Sequence, residues 1–199
     1  MLTWIVLGSS HLACDAYATA RRICYDAQVV TCNRGLEIEP DPDFYFLSDQ
    51  VACQLWAPAG KLASKRGKTK TVTLRRDPAA MKMRAVDDFD LVVREGHPYE
   101  PFQMSGLWCL EFAIRFGAAT RVLVCGCDGY RAGIGVDDYF PWASRIAAFE
   151  GLGKNLTTKV VEPLTNRIVA KYPHVSFCCI GDPCYLVERP NWTVLSPSP

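Results

Sequence analysis

The residues best suited to chemistry lie between Phe102 and Gly133, in FQMSGLWCLEFAIRFGAATRVLVCGCDGYRAG. Ser105-Gly106 opens an apolar stretch with helical spacing. A tight turn follows, then a short apolar strand, Arg121 to Cys125, which breaks into Gly126-Cys127-Asp128-Gly129-Tyr130. Small residues before a helix leave the unpaired N–H groups of its first turn open to an anion. A Gly/Asp loop after a buried strand adds one carboxylate on the edge where open α/β sheets bind ligands. This combination suits a nucleotide-type ligand.

Other residues join this set. Gly8-Ser9-Ser10 is a strand-to-helix turn: Ser9 or Ser10 can cap the helix, and the helix N-terminus can seat a phosphate. It is not G-x-G-x-x-G, and the chain has no G-x-x-x-x-G-K-[ST]. Asn33 can meet a base or ribose and Arg34 a phosphate, or the two can simply make an Asn-Arg-Gly turn. Ser48-Asp49 can contact a ribose hydroxyl or cap a helix. Asp128 can orient a substrate hydroxyl, act as a base or bind a metal, while Asp137-Asp138 can hold a divalent cation such as Mg2+ on a pyrophosphate or start a solvated helix. Of the three histidines, His97 is the acid/base candidate, because a Gly/Pro-rich loop leads from it to Ser105-Gly106. His97, Asp128 and Asp138 are thus the candidate catalytic residues; no Ser-His-Asp or Cys-His arrangement stands at recognisable spacing.

The elements that must position these residues alternate. Strands are expected at Thr3–Leu7, Ala27–Cys32, Asp43–Leu47, Thr71–Leu74, Phe89–Val93, Arg121–Cys125 and His174–Ile180. Helices are expected from about His11 to Cys24, over Gln50–Trp56, after Ser105-Gly106, over Pro141–Leu152 and over Thr157–Lys171. The first helix would turn Leu12, Ala16, Ala20 and Ile23 inward. This order gives an α/β fold: a three-layer Rossmann-like sandwich with a mainly parallel sheet in a single domain, residues 1–189. Residues 190–199, rich in proline and serine, read as a flexible tail.

Composition fits a globular protein, with 49% hydrophobic and 22% charged residues. No apolar run approaches the ~20 residues that span a bilayer. The opening MLTWIVLG lacks the basic flank of a secretion signal and reads as a strand. The ten cysteines lack paired C-x-x-C knuckles; Cys24, Cys32, Cys109, Cys125 and Cys178 fall inside apolar patterns, as free thiols of a reducing cytoplasm would. The formal net charge of +1 hides a basic insertion: residues 61–84 hold nine Lys/Arg and one acid, leaving 13 basic and 20 acidic residues elsewhere. Lys65, Arg66, Lys68, Lys70, Arg75 and Arg76 can recruit DNA or another anionic acceptor, or only solvate a loop.

The order from Gly-Ser-Ser through Cys32-Asn33, Ser48-Asp49, Met104-Ser105-Gly106 and Phe116-Gly117-Ala118 to Gly126-x-Asp128-x-Tyr130 resembles the bacterial sialyltransferases of glycosyltransferase family 42. It is also similar to a related group that includes the archaeal 6-hydroxymethylpterin diphosphokinases and phage-encoded members. The resemblance covers about two thirds of the chain. It implies a nucleotide-binding α/β fold, with Gly8–Ser10 beneath a donor phosphate, Asn33 on the nucleotide, Ser105-Gly106 on nucleotide or sugar, and Asp128 and Tyr130 closing the site. Those sialyltransferases carry a catalytic histidine after the Gly-x-Asp loop; here Tyr130 to Pro173 contains none. The expected function is a transferase with a nucleotide-activated donor, foremost a glycosyltransferase acting on a hydroxyl. The alternatives are an ATP-dependent diphosphokinase and a non-catalytic nucleotide- or nucleic-acid-binding module.

Overall fold

A computed structural model describes residues 1–10, 12–47, 67–75, 90–94, 105–127, 158–183 and 185–197. Along the chain come β1 (Thr3–Leu7), α1 (Ala13–Ile23), β2 (Gln28–Cys32), α2 (Gly35–Ile38), β3 (Phe44–Leu47), β4 (Lys70–Arg75) and β5 (Leu91–Arg94). After these come α3 (Ser105–Arg115), β6 (Arg121–Cys125), α4 (Thr158–Lys171), β7 (Ser176–Ile180) and β8 (Trp192–Leu195). The strands form one sheet in the order β5-β4-β3-β2-β1-β6-β7-β8, and every neighbouring pair is parallel. The expected sandwich is therefore present.

Alternation along the strands feeds two cores. Trp4, Val6, Val30, Val122, Val124 and Phe177 pack with α3 and α4 on one face. Ile5, Leu7, Val29, Leu123 and Ile180 pack with the small residues Ala13, Ala16 and Ala20 of α1 on the other. A strand buried on both faces must be apolar throughout, which is why TWIVL and RVLVC read as short unbroken runs.

Three expectations change. The first helix begins at Ala13, with Leu12 as its N-cap and no side-chain capping bond, so neither Ser9 nor Ser10 occupies that position. The cause lies in the preceding turn, where the Gly8 and Ser10 N–H groups bond carbonyls beyond β1 and delay the helix. Its buried face accordingly runs through Ala13, Ala16, Tyr17 and Ala20, leaving Ile23 exposed. Second, α2 forms where only a turn was expected. Third, the supposed tail supplies β8, parallel to β7. Pro190, Pro197 and Pro199 flank that strand and interrupt none of it, and Trp192 anchors it against Phe177 and Tyr185, at ring distances of 6.2 and 6.3 Å. The expected helices Gln50–Trp56 and Pro141–Leu152 lie outside the described residues.

A charge is buried between α3 and α4. Glu111 is fully enclosed; its Oε1 accepts from the Lys171 ammonium and from the Tyr172 hydroxyl (2.7 Å). The two partners are unequal, since Lys171 still reaches water. Lys171→Met strands a carboxylate inside the protein, whereas Glu111→Met leaves an ammonium that can turn outward. Lys171→Met is expected to cost about 2 kcal/mol, and Glu111→Met less, in urea denaturation.

α1 and α2 are joined by Tyr17, Arg21 and Glu39. The Tyr17 hydroxyl donates to Glu39 Oε2, and Arg21 donates to both, at 2.8 Å to Tyr17 and 3.2 Å to Glu39. Burial, then the bond to Glu39, pushes the Tyr17 phenol far above its ordinary value. Burial alone would raise Glu39, but the bonds from Tyr17, the Asp41 N–H and Arg21 outweigh it and hold the carboxyl below the usual carboxylate range. Glu39 thus contributes stability that is present above that range and lost as pH falls through its folded value. Tyr17 contributes stability that is present below the ordinary phenol range and lost as pH climbs through its own. Melting temperature across pH is expected to fall less steeply on the acid side in Glu39→Gln, and less steeply on the alkaline side in Tyr17→Phe.

Candidate functional site

Because all the paired strands are parallel, their carboxyl ends share one edge. The chain passes from β1 through α1 on one face of the sheet, whereas α3 leads into β6 from the other. The carboxyl ends of β1 and β6 therefore meet at a topological switch point, the edge at which open α/β sheets form their ligand crevice. Gly8–Ser10 leaves β1 there and Gly126-Cys127 leaves β6. These two exits stand side by side in the sheet.

The two exits are bonded to each other. Gly8 N–H donates to Cys125 O (2.7 Å) and Ser10 N–H to Gly126 O (3.1 Å). The approach leaves no room for side chains: a Cβ on Gly8 would stand 2.2 Å from Gly126 O and 2.9 Å from Cys127 Sγ. One on Gly106, in the first turn of α3, would stand 2.8 Å from the same sulfur. Gly126 has φ +65 and would press on Ala13. Cys127 thus fills the gap between Gly8 and Gly106. The N–H groups of Gly8 and Ser10 are committed to β6, and α3 begins beside them at Ser105-Gly106.

Asn33 follows β2, one strand over from Gly8, at φ 49 in the left-handed region that Asn tolerates. Its carbonyl accepts from the Tyr45 hydroxyl (3.0 Å). Its side-chain Oδ1 is buried and finds no hydrogen-bond partner among the described residues. Arg34 is held by Glu37, one turn along, at 2.9 and 2.8 Å, so its charge is already balanced locally.

Ser48, Asp49, His97, Asp128, Tyr130 and Asp138 lie outside the described residues; the strands that lead toward the first four, β3, β5 and β6, end on the carboxyl edge. The basic set divides. Lys68 and Lys70 stand at the amino end of β4, with Lys68 beside Asp43 (3.8 Å), while Arg75 closes the same strand about 16 Å away. Lys65, Arg66 and Arg76 lie outside the described residues.

The described cysteines are free thiols. Burial, then the hydrogen bond that the Cys109 thiol donates to Cys32 and the proximity of Cys32 and Cys127, pushes that thiol well above its ordinary value, so it serves as packing. Among the described residues no group of three or more His, Cys, Asp or Glu is arranged to hold a metal ion, and no helix is long and apolar enough to cross a membrane. Two residues of the site escaped the sequence reading. Cys127 was legible only as the residue between Gly126 and Asp128. Tyr185, whose hydroxyl donates to Cys127 O (2.8 Å), stands 58 residues further on, with no local signal.

No protein-family model matches the chain, and no curated protein does. The solved structure of the MAf glycosyltransferase from Magnetospirillum magneticum AMB-1 is similar over 98% of this chain, at 17% identity and a TM-score of 0.53. The chain spans 33% of that protein. At this identity the likeness is one of α/β fold alone; the family 42 resemblance rests on the residues quoted for it.

Proposed function

We propose that this chain is a glycosyltransferase that binds a nucleotide-activated sugar in the β1/β6 crevice and transfers the sugar to a hydroxyl. The observation that carries the reading is the convergence of Gly8, Gly106 and Gly126-Cys127 on the sheet edge where α/β folds take nucleotides. Likeness of fold to a glycosyltransferase supports the class.

In this reading the donor phosphates lie over the N-terminal end of α3, whose dipole stabilises the negative charge that departs with the nucleotide. Asn33 Oδ1 accepts from a base amino group or a ribose hydroxyl. His97, Asp128 or Asp138 takes the acceptor proton as the new C–O bond forms and the bond from sugar carbon to phosphate oxygen breaks. The basic residues favour an anionic acceptor, for which a hydroxylated base in DNA is the candidate; such binding falls steeply with salt.

Thermal denaturation with panels of nucleotides tests the reading. UDP- or CMP-sugars at a hundred times their dissociation constant are expected to raise the melting temperature by about 5–10 °C. Stabilisation by ATP with Mg2+ alone, surpassing every nucleotide-sugar, would move the protein to diphosphate transfer. Stabilisation by oligonucleotides alone would make it a binding module.

A further inference from the structure

We propose that Tyr185 is a positioning residue of the crevice: its phenol holds the Cys127 carbonyl and so fixes the exit of β6. The inference rests on the crevice being the ligand site. Three successive carbonyls leave β6, and each is held. Cys125 O takes the Gly8 N–H (2.7 Å), Gly126 O the Ser10 N–H (3.1 Å) and Cys127 O the Tyr185 hydroxyl (2.8 Å). The first two bonds are backbone to backbone and do not involve the Tyr185 side chain. The third is made by a side chain, the Tyr185 phenol. A peptide unit is planar and rigid, so anchoring this carbonyl holds the Cys127 end of the exit in place.

Tyr185 is itself held firmly. It is buried, with its ring against Trp192 of β8. Both backbone groups of the next residue are clamped by α4: Leu186 N–H donates to Glu162 Oε2 (2.9 Å), and Leu186 O accepts from Asn166 Nδ2 (2.8 Å). Asn191 Nδ2 then reaches the carbonyls of Val169, Tyr172 and Val175 (3.3, 3.1 and 3.0 Å) and fixes the return into β8. The connection from β7 to β8 is thereby fastened to α4, with Tyr185 extended to the crevice. Adding an edge strand needs only an aromatic ring at position 185. The hydroxyl serves the loop.

The test is hydrogen exchange read by mass spectrometry on the full chain carrying Tyr185→Phe. A peptide spanning residues 121–130 is expected to exchange about tenfold faster, with peptides from β1 and α4 unchanged and the melting temperature within about 3 °C of wild type. Glu162→Gln, which loosens the Leu186 clamp and keeps the phenol, is expected to give a smaller rise in the same peptide. Affinity for UDP-glucose or CMP, whichever stabilises the wild type, is expected to drop about tenfold in Tyr185→Phe. Unchanged exchange over 121–130, or a rise spread evenly over all strands, would overturn the proposal. Failure of the wild type to bind any nucleotide would sink the crevice reading, and the exchange result would still decide the role of Tyr185.

Discussion

Gly8→Ala is expected to destabilise the protein by about 3 kcal/mol and to weaken nucleotide binding more than tenfold. The added Cβ would stand 2.2 Å from Gly126 O and 2.8 Å from Gly126 C, and these are backbone atoms with nowhere to go. Relief requires β1 and β6 to part at the crevice, which breaks the Gly8–Cys125 and Ser10–Gly126 hydrogen bonds together. A comparison with Gly106 sharpens the expectation. A Cβ at Gly106 meets only the side chain of Cys127, with Sγ at 2.8 Å and Cβ at 3.8 Å. Cys127→Ala should therefore rescue Gly106→Ala, all the more because alanine is favoured over glycine inside a helix by about 0.5–1 kcal/mol. It should not rescue Gly8→Ala. Denaturant midpoints of the four variants check this, and equal rescue of both glycines would mean that the exits of β1 and β6 are not in contact.

Trp4→Ala should cost about 4 kcal/mol. Trp4 is 1% exposed; it stacks on Phe44 at 5.4 Å and meets Phe112 edge-on at 6.2 Å. Gly117, at the turn after α3, exists to make room for it: a Cβ there would stand 2.2 Å from the indole ring. Removing the indole empties the contact between β1 and the C-terminal end of α3. Trp4→Phe is a milder change. It keeps the ring stack and discards an indole N–H that is buried without a partner among the described residues, so its cost should stay under about 2 kcal/mol. Urea denaturation followed by circular dichroism separates the two, and a Phe variant as unstable as the Ala variant would contradict this account of the site.

The strands and their edge could be read from the chain because parallel strands buried on both faces are short, apolar and bounded by turn residues. TWIVL, FYFL and RVLVC leave little choice. Gly8–Ser10, Asn33 and Gly126 lie on one edge for the same reason: in an all-parallel sheet every strand exit does. What local pattern could not reveal came from distant partners. β8 was hidden because flanking prolines dominate its composition, while its stability comes from Trp192 meeting Phe177 and Tyr185. Arg34 pairs with Glu37 once α2 winds the chain into a helix, a partner that a turn alone would not supply. The basic insertion looked like one patch; β4 sets Lys68 and Arg75 at opposite ends. The glycines of the crevice answer first to Cys127 and to the β6 backbone, a requirement that only the packed structure reveals.

The most direct measurement is an amide chemical-shift titration of the isotope-labelled protein with UDP-glucose and with CMP. The account predicts that the affected amides gather at Ser9, Asn33, Gly106 and Cys127, around the carboxyl ends of β1, β2 and β6, while Lys68 and Asp43 at the opposite edge stay still. Shifts centred on the amino edge of the sheet, or none with either nucleotide at millimolar concentration, would contradict it.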